Sequence, residues 1–287
     1  MKKIILVVLL VALAGIAGIV RSRAKTTGGM RNWSQVVDGD KSSSAGAREE
    51  IRKNYELSAG ARVEISGING GVKIETSDSR TAEVYVERTG NSQEVLDRRK
   101  VTIEATADSL TVRAENAETS FFARVFGSKP SEHVTLRLPR AISLVARGIN
   151  GSVVAGEIDG AVEVKGVNGK VDIAQASGSA SFKGINGNIA VALNQIDKGG
   201  VEISGVNGNI ELRLNEAVNA QLEAHGMNGS VVSDLPNVSV DNSRHGHYSA
   251  QIGSGGNSIN ASGINGNIHL TRMMTAATTV NQSKSQS

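Results

Sequence analysis

At 287 residues and 39% hydrophobic content the chain can bury a core, but aromatics at 3% and 33 glycines make that core thin. A net charge of +3, with Lys and Arg scattered among Asp and Glu, excludes the basic groove or aromatic stacking platform of a nucleic-acid binder. Cysteine is absent, which excludes disulfides, thiolate metal sites, cysteine nucleophiles and lipidation of an N-terminal cysteine.

Met1, Lys2 and Lys3 precede an unbroken apolar or glycine run from Ile4 to Val20, the pattern of an export signal. Ala12-Leu13-Ala14 offers a small-x-small cleavage site, while 17 apolar residues reach the lower edge of a membrane span. Residues 1–21 are therefore a signal peptide or an N-terminal membrane anchor, and the two remain open. Residues 22–58 are polar and read as a spacer, with a short helix near Glu49 to Tyr55.

An opening β region follows over 59–140, where aliphatic residues alternate with period two: Val63 and Ile65, Val72 and Ile74, Val84 and Val86, Val134, Leu136 and Leu138. Ala107-Asp108-Ser109 predicts a turn joining Val101–Ala105 and Leu110–Ala114 as a hairpin.

From 141 to 271 the chain is dominated by repeats. Gly-x-Asn-Gly occurs seven times, against about 0.3 expected from composition, with turn residues Asn69-Gly70, Asn150-Gly151, Asn168-Gly169, Asn186-Gly187, Asn207-Gly208, Asn228-Gly229 and Asn265-Gly266. Their starts are 81, 18, 18, 21, 21 and 37 residues apart, the last interval being close to two coils. After most repeats the second and fourth residues past the last glycine are aliphatic, as in Val171/Ile173 and Ile210/Leu212, so one face of each strand is buried. Weaker copies halfway between repeats, such as Ile158-Asp159-Gly160-Ala161-Val162, give two strands per coil. The tail, 272–287, is rich in Thr, Ser and Gln and reads as disordered.

Two folds satisfy this spacing. The favoured one is an all-β parallel β-solenoid, a stack of 18–21-residue coils of two strands each, in which the repeat asparagines form a ladder. The alternative is an antiparallel β meander with each Asn-Gly as a type I′ turn; it leaves one apolar face uncovered, whereas a coil closes over a shared core.

The repeated Gly-Ile-Asn-Gly string, with Arg62-Val63-Glu64-Ile65-Ser66-Gly67 opening the body and Leu136-Arg137-Leu138-Pro139 leading into the dense repeats, resembles the bacterial adhesin-like β-strand-repeat families of unknown function. These are related to the GIN head domain of autotransporter-like adhesins. The resemblance covers roughly Glu56 to Leu270 and implies a solenoid-like envelope domain with no catalytic residues to carry over. The membrane-barrel pattern of an autotransporter is missing after the repeats.

Motifs for nucleophilic, zinc and phosphate chemistry are absent from the sequence. In calcium-binding nonapeptide repeats an Asp stands two residues after a glycine, but here Val171, Ile189, Ile210 and Ile268 occupy that place. Asp38, Asp40, Ser42 and Glu49 mimic the ligand spacing of an EF-hand loop without its glycine or preceding helix. Glu157, Asp159, Glu163, Asp172, Glu202 and Glu211 are dispersed and interleaved with basic residues, as on a charged outer face rather than in an acid/base pair. No catalytic residue, metal or cofactor is expected.

Candidate contact surfaces are the aromatic cluster Phe121, Phe122 and Phe126, which also suits a cap on the core, and His245, His247 and Tyr248 in the interval lacking the consensus. The exposed asparagines offer a flat polar surface for a glycan or envelope polymer. The expectation is a non-enzymatic, exported adhesin-like binding or scaffold protein of the periplasm or cell surface, its glycan, polymer or protein partner unspecified and nucleic acid not among them. A self-assembling scaffold and a membrane-anchored sensor of envelope stress are the alternatives.

Overall fold

The computed structural model describes residues 46–116, 129–244 and 246–273. The N-terminal apolar segment, Phe121, Phe122, Phe126, His245, the EF-hand-like Asp38, Asp40 and Ser42, and residues 274–287 lie outside them. Among the described residues, no helix is long and apolar enough to cross a membrane.

The period-two segments are strands. Ahead of the dense repeats come β1 (Ala47–Glu56), β2 (Ala61–Ser66), β3 (Val72–Ser77), β4 (Thr81–Gly90), the one-turn helix α1 (Gln93–Asp97), β5 (Arg99–Thr106), β6 (Ser109–Asn116) and β7 (Ser131–Pro139). Strand pairs then follow in coils: β8 (Ile142–Ile149) with β9 (Val153–Ile158), β10 (Val162–Val167) with β11 (Val171–Ala176), and β12 (Ala180–Asn186) with β13 (Ile189–Leu193). Next are β14 (Val201–Asn207) with β15 (Ile210–Leu214) and β16 (Ala220–His225) with β17 (Val231–Ser233). β18 (Val238–Arg244) and β19 (His247–Ile252) precede the final coil, β20 (Asn257–Asn265) with β21 (Ile268–Arg272).

Each coil places one strand in each of two sheets, and equivalent strands of successive coils pair in parallel, as β10 does with β8 and β12. This is the parallel solenoid and not the antiparallel meander, since Val167 pairs in parallel with Ile149 on one side and Ile185 on the other. The alternating aliphatics point between the sheets into one continuous core, where Val63, Val164, Phe182, Ile203 and Ile259 from one sheet meet Ile74, Ile173, Val191 and Leu212 from the other. At about 1.5–3 kcal/mol for each fully buried Val, Leu, Ile or Phe, these layers supply the driving force that the missing aromatics do not.

The order of coils in the stack differs from their order in the chain at both ends. One sheet runs β18-β19-β16-β20-β14-β12-β10-β8-β2-β6-β5, and the other β1-β4-β7-β3-β9-β11-β13-β15-β21-β17. The first coil, β2 with β3, therefore sits one place inward, between β6/β7 and β8/β9. The last coil, β20 with β21, likewise slots between β14/β15 and β16/β17.

Antiparallel strands close three of the four sheet edges: β5 on β6 and β1 on β4 on β7 at one end, and β19 on β16 and β18 on β19 at the other, where the second sheet ends on β17, parallel to β21. The hairpin predicted around Ala107-Asp108-Ser109 is β5–β6, with Val101 opposite Ala114 and Ala105 opposite Leu110.

Two expectations are corrected. Residues 49–55 are not helical but lie in β1, paired with β4 along ten positions, so the sheet begins within the segment read as a spacer. Ile51 and Tyr55, which pack against the core, are four residues apart, a spacing that one helix face and one strand face both satisfy. The 37-residue interval is not two coils, because it holds one coil and the β18–β19 hairpin.

The β5 end carries the buried charges. Glu132 is fully buried; one oxygen accepts from Arg99 Nε at 2.6 Å and the other from the Asn69 backbone amide at 3.0 Å. Arg99 also donates to Asn116 Oδ1 at 3.0 Å and to the Gly67 carbonyl. Glu49, the last member of the EF-hand-like series, is engaged by Arg88 at 2.5 Å.

Candidate binding surface

Every Gly-x-Asn-Gly unit is a corner between the sheets, and its four positions have separate physical reasons. The first glycine turns the chain through the left-handed region, with φ of +65° at Gly166, where a side chain is disfavoured. The x residue enters the core: Ile68, Ile149, Val167, Ile185, Val206, Met227 and Ile264 are all buried. The last glycine lies against the coil below, since a Cβ on Gly169 would stand 2.5 Å from the Gly151 carbonyl oxygen.

The asparagine between them faces outward and joins a ladder. Asn150 donates to Asn69 at 2.8 Å, Asn168 to Asn150 at 3.0 Å, Asn186 to Asn168 at 3.0 Å and Asn207 to Asn186 at 3.2 Å. The inserted last coil continues the series, Asn265 donating to Asn207 and Asn228 to Asn265, each at 3.1 Å. Asn69 ends it by donating to the Pro130 carbonyl at 2.7 Å. All seven amides point the same way along the stack. Each interior rung spends one N–H and one oxygen lone pair on its neighbours and keeps one of each for solvent.

A second ladder, which the sequence reading missed, runs two residues further on. Asn188 Oδ1 accepts from the Asn209 backbone N–H at 2.9 Å, Asn209 from Asn267 at 3.0 Å, and Asn267 from Ser230 at 3.0 Å. Its signal is the string Asn-Gly-Asn in three of the seven repeats. Asn188, Asn209 and Asn267, with Lys170, line one side of an open depression of 400 Å³ on the outer face of the β13–β15–β21 sheet.

The dispersed carboxylates are paired with cations on the outer faces. Arg140 meets Glu157 at 3.2 Å and Asp159 at 3.8 Å, Arg147 meets Glu163 at 3.0 Å, and Lys170 meets Asp172 at 2.6 Å. Lys183 meets Glu202 at 2.7 Å and Arg213 meets Glu211 at 3.0 Å, a hydrogen bond that raises Arg213 above its ordinary pKa. Among the described residues no group of three or more His, Asp or Glu is placed to hold a metal ion.

The two described members of the histidine–tyrosine cluster part company. Tyr248 is buried and donates its hydroxyl to the Gly229 carbonyl at 2.7 Å, tying the capping hairpin to a corner. His247 faces outward and meets His225, 22 residues earlier, through Nδ1 atoms 2.7 Å apart. The sequence offered no pointer to His225, because only the antiparallel register of β16 and β19 brings the two together.

Stacked two-strand coils, an amide-lined corner and antiparallel caps define a parallel β-solenoid domain. Residues 149–271 match the family model Toastrack DUF4097, a domain of unknown function, so the dense-repeat segment is similar to the kind of domain that the Gly-Ile-Asn-Gly resemblance implied. No curated protein matches the chain. Among solved structures it is similar to a putative cell adhesion protein from Clostridium sporogenes, at 13% identity and a TM-score of 0.41, over 79% of this chain and 100% of that one. A putative adhesin from Bacteroides fragilis aligns at 12% identity and a TM-score of 0.33, over 77% and 97%.

Proposed function

We propose that this protein is a non-catalytic, adhesin-like module of the cell envelope that holds an extended glycan or other polar envelope polymer along its amide corner. The observation that carries the reading is the one-directional ladder from Asn228 to Asn69, exposed along most of its length. Strand spacing sets its rungs about 4.8 Å apart, so the unused donors and acceptors recur at an interval comparable to one sugar ring. The depression beside it adds Lys170 and the second asparagine series. A straight row of repeated, weak polar contacts suits a repeating polymer, whose many sites compensate for shallow individual ones. The apolar segment Ile4–Val20 supports an exported, periplasmic or surface location.

Self-assembly by coil-on-coil stacking is the weaker reading. Antiparallel strands cover three of the four sheet edges, and β1, the edge of one sheet, alternates Arg48, Glu50 and Arg52 with its inward residues, which discourages pairing with another edge.

Pull-down on peptidoglycan, cell-wall glycans and envelope extracts tests the proposal. Retention of the protein on one of these polymers, lost when Asn168 and Asn186 are both changed to Ala with the fold intact, is expected. No retention on any of them, or retention indifferent to the ladder, would count against it.

A further inference from the structure

The capping hairpin carries a polar feature that the amide corner does not use. β19 runs antiparallel to β16 over six register positions, and that register sets His247 directly opposite His225. The two rings meet with centroids 4.3 Å apart and their planes inclined at 54°. Their Nδ1 atoms stand 2.7 Å apart, so one ring donates Nδ1–H and the other accepts on a bare Nδ1. The strand beneath is fixed, because the neighbouring Tyr248 is buried and bonded to the Gly229 carbonyl. Both imidazoles lie on the outer face, where His225 is exposed and His247 half-buried.

We propose that His225 and His247 form a two-histidine site for a divalent ion of the zinc, copper or nickel class. Imidazole nitrogen is a suitable ligand for all three, whereas magnesium and calcium take oxygen. A tetrahedral zinc with Zn–N bonds of about 2.0–2.1 Å holds two nitrogens about 3.3 Å apart. The rings need only separate by about 0.6 Å to accept it. The ring holding Nδ1–H moves its proton to Nε2 through solvent, so both Nδ1 lone pairs face the ion and no net proton is released. Water completes the coordination.

Glu223 projects from the same face of β16 two residues earlier but is engaged by Gln221 at 3.3 Å, so the site rests on the two nitrogens. Its consequence is mechanical. One ligand belongs to a coil and the other to the capping hairpin, so the ion clips the cap onto the stack. An ion that binds only the folded arrangement stabilises it by mass action.

The test is a zinc titration of the full chain, free of any histidine tag, followed by imidazole nitrogen NMR and by thermal unfolding, with magnesium as the control cation. Zinc should shift the His225 and His247 signals with a micromolar dissociation constant and raise the unfolding midpoint. His225→Asn and His247→Asn should each weaken binding at least about tenfold, and magnesium should do nothing. No shift at millimolar zinc overturns the site. So does a shift confined to His133, His245 or His269, or a zinc-dependent midpoint that survives in the double variant. Because no polymer is present, the outcome is independent of the proposed glycan contact.

Discussion

Asn265 donates its side-chain amide to Asn207 at 3.1 Å, and Asn228, which stands between them in the sequence, donates to Asn265 from the far side. The last coil is thus a wedge whose β20 touches β14 on one side and β16 on the other. Ending the chain at Gly256 should free β16 to β19 together while the coils from β8 to β15 stay folded. Hydrogen exchange should then show fast exchange over residues 220–252 and retained protection over 142–206. Equal protection in both regions would mean that β16 docks directly on β14.

At one corner, three neighbouring positions should respond in a fixed order. Asn168→Ala removes two exposed ladder bonds and should cost about 1–2 kcal/mol. Gly169→Ala should cost more, since its new methyl group would press on the Gly151 carbonyl. Val171→Asp, which buries a carboxylate at a fully buried position, should cost several kcal/mol. Urea unfolding of the three variants gives the ranking.

Glu132→Ala should be among the most damaging single changes, about 3–5 kcal/mol, because it leaves the Arg99 guanidinium without its carboxylate in a buried place. Replacing both residues by apolar ones of similar volume should recover most of that loss. Denaturant curves of the single and double variants decide between a pair needed for stability and one merely expensive to break.

Glu75 offers a pH test. Hydrogen bonds from Lys73 and Arg137, with their positive charges, hold its carboxyl below the ordinary carboxylate pKa. A depressed folded-state value stabilises the fold above the unfolded pKa, and the contribution disappears as pH falls through the folded value. Glu75→Gln should therefore lower the unfolding midpoint slightly at pH 7 and not at all well below the carboxylate range. Since the group is on the surface, added salt should shrink the neutral-pH difference.

The repeat spacing made the solenoid, its two strands per coil and its inward residues legible, because Val171/Ile173 and Ile210/Leu212 recur at fixed distances from each Asn-Gly. Stack order was not legible for the opposite reason. The rungs are chemically alike, so Asn207 can accept from Asn228 or Asn265 equally well, and only the connection lengths and the β18–β19 hairpin decide. β1 escaped because Ile51 and Tyr55 fit either period. His225 and Glu132 escaped because their partners, His247 and Arg99, are brought to them by antiparallel pairings and long connections that leave no periodic trace.

The inward placement of the first and last coils limits how such a chain can change in length. Between β8 and β15, neighbours in sequence are neighbours in space, so duplicating an 18-residue unit there would add one layer and leave every other contact alone. Duplication at either extremity would instead have to reroute a strand through an occupied position. Copy-number variation among related genes should accordingly fall in the middle of the array, with the flanking segments held at constant length.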